Sequence, residues 1–307
     1  MKTIPPACWQ FLGRRHWVAG CLATFVLAAC TAQARESVTH SLRKALTFCA
    51  SFDRSADADF ALGDTALWNA PAMNQRDDAA KGLPPGGEIK LEPRAGRFGG
   101  ALSFGKSTGP MVFYRAEKNF PMSAADWAGT VSFWLSTDPV KDLNDGFCDP
   151  IQLTSKQWDD AAIFVEFEKR PAGIPFRLGV YADHAVWNPT RRKFEDIPAA
   201  ERPLASVEKP PFAAGKWTHV AVVIESFNTD KPNGLATLYL DGKKAGEIAR
   251  RTQTFTWDPR KADLMLGLNY IGLMDEIALF NRALSPEEIA ALYALPAGVK
   301  ELIVSQR

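Results

Sequence analysis

Apolar and polar positions alternate along most of this chain in short runs, and Gly-, Pro- and Asp-rich breaks separate the runs. "GTVSFWLST" sets Val131, Phe133 and Leu135 against Ser132, Trp134 and Ser136, the period of two expected of a strand with one buried face. "LTFCASF", "GRFGGALSFG", "GPMVFYR", "WTHVAVVIES" and "LMLGLN" read as further strands. "AIFVEFEK" and "FRLGVYAD" form a predicted strand pair across the turn from Pro171 to Pro175. "ATLYLDGKKAGEIAR" places two alternating runs around Asp241-Gly242, a dipeptide that favours a tight hairpin. "GLMDEIALF" reads as the last strand; strict alternation puts Asp275 with Leu273, Ile277 and Leu279 on its more apolar face. Glu276 then falls on the other face, nearer solvent, so the two acids are not expected to act as a pair.

Strands separated by turns every ten or so residues, without intervening helices, predict an all-β fold. The expected architecture is an antiparallel two-sheet jelly-roll sandwich with a short C-terminal helix. For that helix Ser285 is the cap, Pro286 opens the first turn and Glu288 completes a capping box. One domain is expected over residues 45–296, with a polar tether at 31–44 and a tail at 297–307. The stretch from Asp183 to Pro211 is the least strand-like and reads as one long surface excursion.

Composition narrows the partners. At 46% hydrophobic and 23% charged the 307-residue chain is an ordinary globular one. The net charge is +1, and residues 1–30 hold three of the 36 basic residues and none of the 35 acidic ones. The remainder is near neutral, so no nucleic-acid partner is expected. Arg14-Arg15 precede the apolar stretch Trp17–Ala29, so residues 1–30 read as a signal peptide. It ends in Leu27-Ala28-Ala29-Cys30, which resembles the bacterial lipoprotein box, with Cys30 as the lipidated residue and the sole membrane attachment. Ala32-Gln33-Ala34 offers ordinary signal peptidase a rival site. Both routes lead out of the cytoplasm, to the periplasm or cell surface as a lipoprotein, or to secretion. In such a compartment Cys49 and Cys148 are expected to pair as a disulfide, the alternative being two free thiols with Cys49 buried.

Six segments, in order, carry a family resemblance: "FDRSADADFALG", "GRFGGALSFG", "GTVSFWL", "GKWTHVAVV", "ATLYLDGKKAGE" and "GLMDEIALFNRALSPEEIAALY". They resemble LamG-like jelly-roll domains of the concanavalin A-like lectin/glucanase superfamily over roughly residues 46–295. The resemblance implies two face-to-face sheets, one curved so that its concave side can hold a ligand. It does not fix an activity, and residues 138–212 depart from the minimal pattern.

The superfamily includes glycoside hydrolases, whose retaining members carry Glu-x-Asp-x-Glu on one strand; this chain has no such stretch. Glu166 and Glu168 share a strand face and are the alternative catalytic pair, although a solvated outer face accounts for them equally. His219 is expected to be structural, and no Gly-x-Ser-x-Gly elbow, phosphate-binding loop or His/Cys cluster is present. LamG-like domains often hold calcium; Asp53 and Asp275 are the candidate ligands, with Asp57 and Asp59 nearby. For carbohydrate, aromatic platforms and polar rims point to Trp158, Tyr181, Asp183, Trp187, Asn188 and Arg191. Packing tryptophans and Asn-Pro turn chemistry are the plainer reading of that cluster. The expected function is an exported binding module for a carbohydrate or an extracellular protein, without catalysis. A hydrolase or lyase, and a structural or protein-interaction domain, stand as alternatives.

Overall fold

The computed structural model describes residues 36–105 and 109–303, and the signal segment with Cys30 lies outside them. Seventeen strands, numbered along the chain, form two antiparallel sheets. The back sheet runs β15 (Lys243–Arg251), β14 (Gly234–Leu240), β13 (Trp217–Phe227), β8 (Trp127–Ser136), β17 (Gly272–Phe280), β1 (Leu46–Ala50) and β2 (Phe60–Ala61). Beside the first half of β17 lies β6 (Ala101–Phe104), which also pairs with β5 (Ile89–Glu92). The front sheet runs β12 (Leu204–Val207), β11 (Phe176–Tyr181), β10 (Ala162–Lys169), β9 (Gly146–Thr154), β16 (Asp263–Leu268), β7 (Met111–Arg115), β3 (Trp68–Ala70) and β4 (Ala80–Lys81). The sandwich expected from the alternation is therefore present, and the Asp241-Gly242 hairpin joins β14 to β15 with both turn residues at positive φ.

The main core lies between the sheets. Val131, Phe133 and Leu135 of the back sheet face it, as do Ile151, Val165 and Leu178 of the front sheet. A second apolar layer covers the outer face of the back sheet. It is closed by α1 (residues 36–45), α2 (Pro286–Tyr293) and a 3-10 turn over Val299–Leu302.

Two boundary expectations need correction here. The segment taken for a tether is helical from residue 36, because Val38, Leu42 and Ala45 recur at helical spacing and dock on the back sheet. Leu42 is fully buried, and Ser41 Oγ donates to Glu288 Oε1 at 2.8 Å. The expected tail is likewise docked, with Val299 and Leu302 in the same layer. The capping box at Ser285 forms as expected.

Both cysteines are free thiols, correcting the expected disulfide. Cys49 sits in the outer layer of the back sheet and Cys148 faces the inter-sheet core from β9, so the two occupy different layers. Burial pushes both thiols up, Cys148 to about 11.

A bulge in β17 also overturns the expected alternation. Met274 and Ile277 both face the main core, so two residues lie between them on the outer side. Glu276 takes φ 57°, and Asp275 and Glu276 are both fully buried. Glu276 is thus no nearer solvent than Asp275, and the Asp275 charge bears on its carboxyl.

Candidate functional site

The outer face of the front sheet carries a cleft of about 660 Å³. Three adjacent strands build its floor. On β10, Phe164, Glu166 and Glu168 point outward while Ile163, Val165 and Phe167 enter the core. On β9 a bulge opposes Asp149 and Pro150 to the single residue Glu166, which brings Asp149 beside that carboxylate. On β11, Arg177 lies opposite Glu166 and Gly179 opposite Phe164. The glycine is required there, since a Cβ would come within 2.2 Å of the Phe164 ring. That space lets Phe164 stack on Tyr181 at 5.5 Å and 17°.

Arg177 organises the acids. Its Nε donates to Glu166 Oε1 at 2.9 Å and its Nη1 to Glu168 Oε2 at 2.9 Å, while Nη2 also donates to Glu166. Glu166 is 5% exposed, which corrects the solvated outer face expected for it. Burial pushes the Glu166 carboxyl up although Arg177 pulls it down. Burial, then the neighbouring Glu166 charge, pushes Asp149 well above the usual carboxylate range. Gln152, 1% exposed, lines the same floor, and its Nε2 has no hydrogen-bond partner. Trp158, 48% exposed, stands at the rim against Tyr181 and Phe194, and Phe147 lies under the Arg177 guanidinium at 5.3 Å.

Of the six residues expected to bind ligand, Trp158 and Tyr181 line this cleft. Trp187 supports it from behind: its ring meets Tyr181 edge-on at 4.9 Å and its Nε1 donates to the Asp159 carbonyl. Asp183 instead accepts from Lys156 Nζ at 2.6 Å and from Thr256 N. Asn188 is a turn residue, exchanging hydrogen bonds with the Arg192 backbone. Arg191 is exposed at positive φ and does not line the cleft. The plainer reading therefore holds for Trp187 and Asn188. Asp149, Gln152 and Arg177 were missed, and the alternation of "FRLGVYAD" already set Arg177 and Tyr181 on one face.

The candidate calcium ligands meet elsewhere, on the back sheet under the loop 96–100. Gly100 N donates to Asp53 Oδ1 at 3.0 Å and Phe98 N to Asp275 Oδ2 at 3.0 Å. Lys300 Nζ takes Asp53 Oδ2 at 2.7 Å, and Val299 N donates to Glu276 Oε2. Asp57 and Asp59 accept from backbone N–H groups of Leu67 and Ser51. Calcium takes six to eight oxygens; here a lysine and backbone donors already occupy most of the carboxylate oxygens. Among the described residues no group of three or more His, Cys, Asp or Glu side chains is arranged to hold a metal. The leftover acceptors, Asp275 Oδ1 and Glu276 Oε1, are buried without partners. Burial raises Asp275 to about 7, and burial with the Asp275 charge raises Glu276 to about 9.

His219 is buried, with Nε2 against Ser132 Oγ at 2.9 Å, and burial lowers it to about 4. It packs under Trp134 and Tyr293 and is structural as expected.

A family model described as the concanavalin A-like lectin/glucanases superfamily matches residues 118–290. No curated protein sequence matches. Among solved structures, the binding domain of botulinum neurotoxin DC in complex with SialylT is similar with a TM-score of 0.53 at 11% identity. The match covers 82% of this chain and 52% of that one. The same toxin's binding domain in complex with rat synaptotagmin II gives 0.51 at 12% identity, with the same coverage of 82% and 52%. This chain thus spans about half the length of those toxin domains. Domain 4 of AbnA, a GH43 extracellular arabinanase from Geobacillus stearothermophilus, in complex with arabinotriose, gives 0.48 at 17% identity over 80% of this chain and 97% of that one. At such identities the likeness to these structures is one of fold.

Proposed function

The chain belongs to the concanavalin A-like lectin/glucanase superfamily, and from that premise we propose that it is an exported carbohydrate-binding module without catalysis. The observation that carries this reading is the front-sheet cleft, where aromatic faces surround a polar floor. Pyranose rings offer C–H faces to aromatics and hydroxyls to buried polar groups, so such a cleft matches a glycan better than an apolar ligand. The toxin domain in complex with SialylT lends the reading a precedent in fold.

Non-catalysis rests on the state of the two glutamates. Glycoside hydrolysis needs one carboxyl free to give a proton and a second free to attack or activate water. Glu166 and Glu168 instead share one guanidinium, which holds them in position and takes one oxygen of each. The segment before residue 36 supports export through the lipoprotein-like box at Cys30 or the rival site after it.

Binding to an oligosaccharide panel tests the function. Trp158→Ala, at a half-exposed rim position, is expected to weaken binding at least about tenfold, since stacking and buried aromatic area are lost together. Absence of binding across a broad panel would refute the carbohydrate reading. Release of reducing ends that disappears in Glu166→Gln would refute non-catalysis. A protein partner is the second reading, favoured by the toxin domain in complex with rat synaptotagmin II.

A further inference from the structure

One carboxylate of the cleft floor stands outside the ion pairs that hold the others. Among the described lining residues Glu88 has a partner of its own and Glu166 pairs with Arg177, whose guanidinium also reaches Glu168 beside Arg170. Asp149 is half-buried, sits in the β9 bulge beside Glu166, and has neither an ion pair nor a hydrogen bond from any described residue. A carboxylate partly withdrawn from water and without a partner gains from a cation placed beside it. The neighbouring floor group, Gln152, is also unpartnered at Nε2 and nine-tenths buried. The aromatic rings of Trp158, Tyr181 and Phe164 line the same cleft.

We propose that the cleft selects a glycan bearing a free, protonated amine, with Asp149 as the group that receives the ammonium. The inference rests on the carbohydrate reading above. An ammonium beside Asp149 completes the ion-pair pattern that Arg177 leaves unfinished, and it forms charge-assisted hydrogen bonds in a partly dry site. The aromatic surround favours a cation further, through the negative faces of the rings. Gln152 Nε2 donates to an oxygen of the same or the next sugar. An anionic sugar would instead meet Asp149 and Glu166 as like charges.

Three β-1,4-linked oligomers of equal length isolate the point, since glucosamine, N-acetylglucosamine and glucose differ only at one ring position. Calorimetry on the full chain near neutral pH is expected to show the glucosamine oligomer binding at least about tenfold tighter than the glucose oligomer. Asp149→Asn should reduce that preference to about twofold or less. Trp158→Ala should weaken all three oligomers together. Raising salt should weaken the glucosamine oligomer alone, a measurement on the unaltered protein that needs no variant to fold. A preference that survives Asp149→Asn, the absence of any preference, or neutral binding that requires calcium would each overturn the assignment. Neutral oligomers that bind through Trp158 without amine preference would sink this inference and leave the cleft reading intact. Silence across the broad panel would remove both.

Discussion

At the scale of single residues, Gly179 sets the cleft floor as much as any polar group does. Its missing side chain is filled by the Phe164 ring, so Gly179→Ala should push Phe164 off Tyr181. A cost of about 1–3 kcal/mol is expected from overpacking, measured by denaturant unfolding, along with weaker ligand binding. Glu276 makes a different prediction. Unfolded carboxyls release their protons near pH 4, whereas Asp275 and Glu276 hold theirs to about 7 and about 9. Across that window the native state binds more protons than the unfolded one, so stability falls as pH rises. Melting temperature should therefore drop by several degrees between about pH 5 and pH 9. Glu276→Gln should flatten that slope, and an unchanged slope in the variant would show that other groups carry it.

These residues also mark the limit of the sequence reading. The burial of Asp275 was legible from its apolar setting, although the structure sets it on the face opposite Ile277 and Leu279. The burial of Glu276 was not, because a bulge adds one residue and shifts every later side chain to the opposite face. The same device hid Asp149, whose approach to Glu166 depends on a second bulge, in β9. Trp158 and Tyr181 were found because aromatic and polar clustering is a compositional signal. Asp183 and Asn188 share that signal but spend their polar atoms on Lys156, Thr256 and a turn.

At the scale of elements, local chemistry decided what could be read. The capping box at Ser285 is a fixed four-residue pattern and forms as written. Ser285→Ala should cost about 1 kcal/mol, read from chemical denaturation, since the Glu288 N–H loses its acceptor. Helix α1 was read as a tether because its exposed residues are polar and its apolar stripe is narrow. Its docking depends on Leu42, and Leu42→Ala should cost about 2–4 kcal/mol. A loss within about half a kcal/mol, the range of ordinary surface changes, would mean that α1 is not held to the sheet.

For the whole molecule, the two-sheet sandwich was legible because alternation recurs in every strand and each hairpin has its own turn residues. Pairing between cysteines was not legible, since a disulfide needs a close approach that depends on layer and side, not on sequence spacing. The layers separate Cys49 from Cys148, so reductant is expected to leave the melting temperature unchanged and both thiols should react once the protein is unfolded. A fall of several degrees on reduction would reveal a crosslink.

The docking of residues 36–45 and 299–302 on the back sheet has a consequence for how the molecule is presented. Leu42 before the first strand and Leu302 beyond the C-terminal helix share one apolar layer, and Arg43 Nη2 donates to the Glu301 carbonyl at 3.2 Å. The cleft opens on the opposite sheet. A surface held against that back layer would therefore leave the cleft turned toward the bulk phase.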